Sequence, residues 1–311
     1  MLSVDHTSLS TEAADIIHTC ATIIKAQFRR TTGDENWKGY HQYTNGAGIK
    51  CYLRHNRFEE YNKLFVAFSP HKLFNNNQHN ANNVCYSDLL AVISTCMQRL
   101  GVRRMDYSSF KIVSIEIGAN FRVHRDPYFV LNSALMIGNM FFQKTEYEHY
   151  RTAGNSKKSS KYFKAKFYIK SEQAFTETGL TNAELGYCPP NTMRFEIKLE
   201  RADKYKFMDF SSLEVLFGQT AEDTLKEFLA KEFHRVFFFC WQSIDKVSLH
   251  SEPQWKNYYQ FQLDHYWGGV APGKRAERKK YYLKLPKVYD LKAEMDSCFP
   301  FQCQKKNLDF P

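Results

Sequence analysis

One segment of the sequence places a tyrosine in a row of lysines. Residues 164–170 read KAKFYIK, and the two-residue period of a strand puts Lys164, Lys166, Tyr168 and Lys170 on one face. A tyrosine oxygen can attack phosphorus and form a covalent intermediate, while lysines hold the neighbouring phosphates. Because a free phenol ionises only at about pH 10, we expect the adjacent ammonium groups and a bound cation to favour the phenolate.

Two other segments alternate in the same way, and each carries a carboxylate on its polar face. Glu116 lies in VSIEIGANF (113–121), and Glu196 lies in MRFEIKLE (193–200). Paired carboxylates bind hard cations such as Mg²⁺ or Mn²⁺, and such a cation polarises a phosphate. Gly118 would let another group approach the backbone of this face closely.

These three segments predict one composite surface if they join the same antiparallel sheet, because their charged faces then line up. The alternation describes a second arrangement equally well, in which the charged faces are the solvated outer side of a half-buried sheet.

The composition favours an anionic partner. The chain has 311 residues, a formal net charge of +10 and 16% aromatic residues. A basic, aromatic-rich globular protein suggests nucleic acid, since bases stack on aromatic rings while lysines follow the phosphates. The eight cysteines include no CxxC pair, which argues against a zinc site of regular spacing and against a disulfide-dense secreted domain.

No segment predicts a signal peptide or a membrane span. Charged residues interrupt every apolar run near the start of the sequence. The longest aromatic run, residues 236–241, is far too short to cross a bilayer. We therefore expect a cytoplasmic protein with no membrane partner.

Helices and strands are both predicted. Apolar stripes predict helices over 10–28, with Ser10 as the N-cap, over 88–100, opened by Ser87 and closed by Gly101, and over 220–241, with Thr220 as the N-cap. The asparagine-rich segment 75–83 predicts a loop. Alternating apolar residues predict the remaining elements, which are strands at 49–55, 63–69, 109–123 and 192–201.

A second basic region lies near the end of the sequence, where residues 272–287 read PGKRAERKKYYLKLPK. A charge run of this kind predicts a solvated tail. Two tyrosines interrupt the charges, so a DNA-contacting segment is the alternative. Together with Lys164 and Lys166, the candidate DNA-binding residues are Lys274, Arg275, Arg278, Lys279 and Lys280.

Four blocks of the sequence resemble, in order, the motifs of rolling-circle replication initiators, in particular the gene II/X replication proteins of phages and plasmids. They span roughly residues 62–235 and read FSPHKLFNNNQHNANNVCYSDLLAVI, VSIEIGANF, KFYIKSEQ and MRFEIKLER. Ile169 departs from the Asp or Asn that usually follows the tyrosine, and Asn120 stands where many members have a second acid. No His-hydrophobic-His motif is present, and His71, His79 and His124 are expected in loops or on the surface. A third metal ligand is left open.

By this resemblance we expect an α+β protein with an antiparallel central sheet, helices packed on one face, and a nuclease-like architecture. The expected organisation is an N-terminal helix and loop (1–45), a nickase-like catalytic domain (46–210) and a mainly helical, basic C-terminal region (211–311).

The resemblance also implies roles for single residues. Tyr168 is the expected nicking nucleophile, with Tyr162 on the same run as its competitor. Glu116 and Glu196 are the expected ligands of Mg²⁺ or Mn²⁺. Lys170 is expected to contact the phosphate or steady the tyrosine, and Arg194 to support the site.

The function implied is initiation of rolling-circle replication. The enzyme would nick one strand of single-stranded or supercoiled origin DNA, keep a 5′-phosphotyrosyl link and later rejoin the strands, with a host helicase as a further candidate partner. The alternative is a non-catalytic nucleic-acid-binding protein that uses the same basic sheet.

Overall fold

The computed structural model of the chain describes residues 1–31, 40–45, 48–55, 61–76, 79–154, 163–181, 184, 188–263 and 266–301. Within these residues the chain is a mixed α+β protein built on a large antiparallel sheet. The expected α+β class and the antiparallel sheet are therefore confirmed.

The large sheet has ten described strands in the order β2-β3-β4-β5-β1-β6-β12-β11-β10-β9, and neighbouring strands run antiparallel. A small second sheet has the order β13-β7-β8. The strands are β1 Leu2–Thr11, β2 Arg29–Arg30, β3 Tyr40–Thr44, β4 Lys50–His55, β5 Tyr61–Phe68, β6 Lys111–Arg122, β7 Ala134–Ile137, β8 Met140–Phe141, β9 Gln143–Lys144, β10 Tyr150–Ala153, β11 Phe163–Ile169, β12 Thr192–Leu199 and β13 Val236–Phe238.

The α-helices considered below lie between and after these strands. They are α1 Ala14–Gln27, α2 Pro70–Phe74, α3 Tyr86–Arg99, α4 Pro127–Ser133, α5 Lys170–Thr178, α6 Ala221–His234, α7 Glu252–Phe261, α8 Tyr266–Gly269, α9 Pro272–Lys284 and α10 Leu291–Cys298. In the part of the chain that the structure describes, five short 3-10 helices connect the longer elements, at Arg104–Ser109, Ala202–Lys204, Leu213–Phe217, Trp241–Ser243 and Lys246–Ser248.

One face of the large sheet is apolar and lies under helices. Ile117 and Phe195 represent the strand side of this core, and both are fully buried. Ile17 of α1, Leu89 of α3 and Leu229 of α6 pack into the same cluster. Burial of these side chains is the main driving force that fixes the strand faces.

The opposite face carries the polar residues of the three predicted strands. Strands β6, β12 and β11 are neighbours, and their register places Lys166 opposite Glu196 and Glu196 opposite Gly118. Tyr168 lies opposite Arg194 in the same pairing. The predicted alignment of the charged faces is confirmed, although the centre of this face is buried rather than solvated.

The predicted helix over residues 10–28 is wrong at its start. Ser10 is not an N-cap but belongs to β1, and the helix begins at Ala14. The pairing of β1 with β6 shifts register after Val4 and again after Ser8. These irregularities break the two-residue alternation, which is the signal that identifies a strand in a sequence.

The predicted helix over residues 220–241 also ends too late. Helix α6 stops at His234, and Val236–Phe238 form β13, which pairs with β7. A β-branched residue followed by aromatic residues suits a pleated, packed surface better than a helix. The segment 272–287, predicted as a tail or contact segment, includes helix α9, which packs on the small sheet through Tyr282.

Candidate active site on the polar face of the sheet

A cluster of charged side chains is buried in the centre of the polar face. We call this cluster the polar network and define it as Asp5, Glu116, Lys166, Tyr168, Arg194 and Glu196. The members come from β1, β6, β11 and β12, which are adjacent in the sheet. Buried charges are rare unless they are paired, so this concentration marks a specialised region of the molecule.

Arg194 is the centre of the network and is only 1% exposed. Its Nε donates to Glu196 Oε1 at 2.6 Å, and one terminal nitrogen donates to both Asp5 and the hydroxyl of Ser3. The other terminal nitrogen donates to Asn120 Oδ1 at 2.6 Å. One guanidinium therefore fixes two carboxylates, because its planar fork presents donors in several directions.

Two backbone features allow this arrangement. Asp5 lies at the register shift between Val4 and His6, where an extra residue in β1 turns its side chain toward the network. A Cβ on Gly118 would lie 2.7 Å from Glu196 Cγ and 3.0 Å from a terminal nitrogen of Arg194. The close approach predicted at Gly118 is present, and the approaching groups are the side chains of β12.

Lys166 lies over two carboxylates at the outer side of the network. Its ammonium contacts Glu116 and lies 3.2 Å from Glu196 Oε2. Burial opposes ionisation of this lysine, but the charges of Glu196 and Glu116 raise its pKa. The Lys166 ammonium is therefore paired with two carboxylates in this structure and is not available to a DNA phosphate.

The three carboxylates differ in their protonation. Burial and the charge of Glu196 raise the pKa of Glu116 to about 7. Burial opposes ionisation of Glu196, but the charges of Lys166 and Arg194 lower its pKa. Burial likewise opposes ionisation of Asp5, and the Arg194 guanidinium holds the pKa of this carboxyl well below its usual range.

Tyr168 donates a hydrogen bond from its hydroxyl to Glu196 Oε1 at 2.5 Å. The ring is 1% exposed and stacks on Tyr150, with ring centroids 4.7 Å apart. Burial and the charge of Glu196 raise the pKa of Tyr168 well above its ordinary value. The expectation that the lysines favour a phenolate is therefore wrong, because Lys166 is paired with carboxylates while Glu196 lies at the phenol.

Lys170 begins α5 and is fully buried beside the network. Its ammonium donates to Asn80 Oδ1 at 2.6 Å and lies 5.6 Å from the centroid of the Tyr168 ring. Burial and the charge of Arg194 lower its pKa to about 8. This position suits support of Tyr168 rather than contact with a phosphate.

His71 is also part of the support, against the expectation of a loop or surface residue. It lies in α2, is fully buried, and its Nδ1 is 3.2 Å from Asp5 Oδ1. Asn80 donates to the same oxygen of Asp5 at 3.3 Å. Helix α2 and the asparagine-rich loop thus cover one end of the network, whereas His124 is exposed.

The acidic members can hold a metal ion. Asp5, Glu116 and Glu196 each offer a carboxylate oxygen, and these atoms lie within 4.8 Å of one another. Three carboxylate oxygens suit a hard cation. Lys166 and Arg194 already balance two of the three negative charges, so the donor set fits a metal ion only if the Lys166 ammonium moves aside.

Other predicted contact residues lie outside the network. Lys164 is half-buried opposite Lys198 and lines a cavity of about 480 Å³ near β10. In α9, Arg275 donates to Val270 O at 3.0 Å, Arg278 donates to Asn257 Oδ1 at 3.0 Å, and Lys279 donates to the carbonyl of Gly138. The two exposed members of the set are Lys274 and Lys280.

Sequence reasoning missed Asp5, Asn80 and Tyr150. A strand at the start of the chain would have revealed Asp5, but residues 2–11 alternate only weakly and are interrupted by register shifts. Asn80 and Tyr150 reach the site through tertiary contacts, for which a short sequence window contains no signal. Tyr162, the predicted competitor of Tyr168, lies outside the described residues.

Comparisons with known proteins give no family for the chain. No protein-family model matches it, and no curated protein matches it either. Among the described helices, none is both long and apolar enough to cross a bilayer.

Proposed function

We propose that the chain is a metal-assisted DNA-nicking and strand-joining enzyme of the rolling-circle replication-initiator type, with a nuclease-like fold, and that Tyr168 is its nucleophile. The observation that supports this proposal best is the arrangement of Tyr168, Glu196 and Arg194. A nucleophile, a base within hydrogen-bond distance and a third group that orients the base are the usual parts of covalent catalysis. Here the two hydrogen bonds are 2.5 Å and 2.6 Å long.

In the proposed reaction the Tyr168 oxygen attacks the phosphorus of one strand. Glu196 accepts the phenolic proton as the O–P bond forms, which removes the need for a preformed phenolate. The bond from phosphorus to the 3′ oxygen breaks, leaving a 5′-phosphotyrosyl link and a 3′ oxygen that takes a proton from water to become a free 3′-hydroxyl. Attack by a 3′-hydroxyl on this link reverses the step, rejoins the strand and returns the proton to Tyr168.

The residues around Tyr168 would hold the reacting groups. Asp5, Glu116 and Glu196 would bind Mg²⁺ or Mn²⁺, which polarises a phosphate oxygen when bound. Lys166 lies beside these carboxylates, so once its ammonium leaves them it can pair with a phosphate. The substrate would be single-stranded or supercoiled origin DNA, and a host helicase would separate the strands.

The second candidate is a non-catalytic nucleic-acid-binding protein. The burial of Tyr168 and the pairing of every charged member of the polar network favour it, because such a network can also be purely structural. In this candidate Tyr168 has no covalent role, and DNA contacts only the outer lysines.

Detection of a covalent protein–DNA adduct separates the two functions. The protein is incubated with a random-sequence pool of single-stranded DNA in the presence of Mg²⁺ or Mn²⁺ and then denatured in detergent. Because the tyrosine keeps the 5′ phosphate of the downstream fragment, a 3′ label stays with the protein and a 5′ label does not. Supercoiled DNA that includes the sequence around the gene is the second substrate.

Three phenylalanine variants locate the nucleophile. Tyr168→Phe should form no adduct while it still binds DNA, since only the nucleophilic oxygen is lost. Tyr150→Phe, which keeps the stacked ring, and Tyr162→Phe should both form the adduct. A Tyr168→Phe protein with an unchanged adduct would reject the assignment. No adduct from wild-type protein with either DNA would favour the binding protein.

A further inference from the structure

The polar face contains a cavity beside the network that the nicking proposal does not use. Its volume is about 650 Å³, and it lies over β3, β4, β5, β1 and β6. This volume is in the range of pockets that hold small ligands. The lining side chains used below are His6, Lys50, Tyr52, Phe65, Ser114 and Lys198.

The cavity lies next to the proposed active site, because three of its lining residues are neighbours of Glu116 in the sheet. His6 lies opposite Glu116 in the pairing of β1 with β6, and Lys198 lies opposite Glu116 in the pairing of β12 with β6. Ser114, two residues from Glu116 on the same strand, lines the cavity. Residues two apart on a strand are about 7 Å apart, so the cavity begins within one nucleotide of the carboxylates.

Aromatic and basic side chains occur together in this cavity. Tyr52 and Phe65 are cross-strand partners on β4 and β5, and both rings are partly exposed. Lys50 is exposed at one side, and Lys198 is partly exposed at the other. Rings that stack a base, flanked by cations that hold phosphates, are the recurring features of single-strand binding surfaces.

The cavity near β10, which Lys164 lines, differs in charge from the cavity beside Glu116. This difference decides which of the two cavities suits a DNA strand. The cavity near β10 is lined by one lysine, Lys164, and by the carboxylates Glu146 and Glu177. The cavity beside Glu116 has two lysines against one carboxylate, Glu200. An anionic strand is therefore attracted to the cavity at β4 and β5.

We propose that the cavity lined by Tyr52, Phe65, Lys50 and Lys198 binds a base of single-stranded DNA next to the phosphate held at Glu116, with the base stacked on an aromatic ring. This inference rests on the proposed function, because it places the scissile phosphate at the polar network. It adds a binding subsite on β4 and β5, outside the strands that hold the reacting groups.

Photocrosslinking tests the position of the base. Single-stranded oligonucleotides with iodouracil in place of thymine are bound in Mg²⁺ to Tyr168→Phe protein, in which cleavage plays no part, and are then irradiated. Mass spectrometry should find the crosslink at Tyr52 or Phe65. A crosslink found only in other parts of the chain would overturn the proposal.

Affinity measurements with the same oligonucleotide test its energetic part. Loss of a stacking ring weakens binding of a base by about 1–3 kcal/mol, so Tyr52→Leu should weaken binding by roughly 5- to 150-fold. Tyr259→Leu is the matched control, since Tyr259 is an exposed tyrosine of α7. Equal affinities of the two variants would contradict the proposal.

A variant at an exposed residue tests the same subsite without a risk of unfolding the protein. Lys50→Gln should leave the melting temperature unchanged, because Lys50 is exposed, and should reduce the slope of log affinity against log salt by about 0.7. An unchanged slope counts against the subsite. Competition by a free nucleoside triphosphate as strong as that of the oligonucleotide would instead indicate a mononucleotide pocket and overturn the proposal.

The result can be separated from that of the nicking assay. A crosslink at Tyr52 without any covalent adduct at Tyr168 supports the subsite and rejects the enzyme. An adduct at Tyr168 without a crosslink at Tyr52 or Phe65 supports the enzyme and rejects the subsite.

Discussion

The polar network and helix α9 are both rich in cations, yet they use their charges differently. In the network, Arg194 is 1% exposed and its guanidinium is shared between Asp5 and Glu196. In α9, Lys274 and Lys280 extend into solvent. The comparison shows that the number of charges in a segment does not determine their role. Their role depends on whether other groups of the protein bury them.

The physical reason for the difference is desolvation. Transfer of a charge out of water is unfavourable by several kcal/mol, and a buried ion pair recovers this only with good geometry and further hydrogen bonds. The network meets that condition through Ser3 and Asn120, which accept hydrogen bonds from Arg194. This condition does not apply to the exposed charges on α9, which remain in water and can change partner freely.

The largest expected effect comes from removing the cation at the centre of the network. Arg194→Met should lower the free energy of unfolding by about 3–5 kcal/mol, because Asp5 and Glu196 would remain buried without their partner. Lys280→Met in α9 should change it by no more than about 0.5 kcal/mol. Urea unfolding monitored by circular dichroism measures both values.

A combined variant sharpens this test. If the loss in Arg194→Met comes from unpaired carboxylates, the addition of Asp5→Asn and Glu196→Gln should restore part of the stability. Further destabilisation by these two changes would show that packing of the Arg194 side chain, rather than charge, dominates.

The second prediction concerns the metal site. Glu116→Gln should weaken binding of Mn²⁺, measured by titration calorimetry, by more than about tenfold, because the amide removes the charge but keeps the shape. Lys166→Met should strengthen binding, since the ammonium that lies on Glu116 and Glu196 no longer competes. Glu12→Gln, at an exposed acid paired with Lys63, is the control. Identical affinities in all three variants would argue against a cation at the network.

Part of this site could be predicted from the sequence. The strands β6, β11 and β12 have long, regular alternation, so their faces and their polar residues were predictable. The burial of these faces was not, because alternation does not tell what covers a strand. Here α2 and the start of α5 provide the cover. His71 of α2 lies at Asp5, whereas Lys170 of α5 donates to Asn80, which in turn donates to Asp5.

The chemistry of Tyr168 shows the same limit. Its place among lysines was predictable, but its hydrogen bond to Glu196 depends on the pairing of β11 with β12, which are separated in the sequence by α5 and the residues after it. Burial of the phenol, together with the charge of Glu196 at this contact, reverses the expected direction of the pKa shift of Tyr168. Strand register, which the sequence specifies only through the whole fold, therefore decides the proposed mechanism.

The third prediction tests α9 as a DNA-contacting surface. Only Lys274 and Lys280 of the five candidates are exposed, so their replacement by Gln should reduce the salt slope for single-stranded DNA by about 1.4. Further replacement of Arg275, Arg278 and Lys279 should reduce the salt slope by less than about another 2.1, since these three side chains also bond to protein groups. Fluorescence anisotropy at several salt concentrations measures the slope. An unchanged salt slope in the variant that lacks Lys274 and Lys280 would show that α9 does not contact DNA.

The smallest expected effect concerns Lys279, the residue of α9 whose environment is closest to that of the network. Its ammonium donates to the carbonyl of Gly138, and burial together with the charges of Arg235 and Arg275 lowers its pKa to about 8 from an ordinary 10.5. At a pH between these two values, Lys279 keeps its proton in the unfolded chain but has lost it in the folded chain. Stability must therefore rise with pH across this window, because the unfolded state binds more protons there.

Urea unfolding of wild-type protein, Lys279→Met and Lys280→Met at several pH values measures this contribution. From pH 8 to pH 10.5 the wild-type protein should gain stability relative to Lys279→Met, by less than about 1 kcal/mol since water screens the partly exposed ammonium. The difference between wild type and Lys280→Met should stay constant, and subtraction removes the titration of the other groups. A constant difference for Lys279→Met as well would place Lys279 with the freely solvated cations of α9. A difference that changes with pH would show that one helix contains both kinds of charge, and that contact with the small sheet separates them.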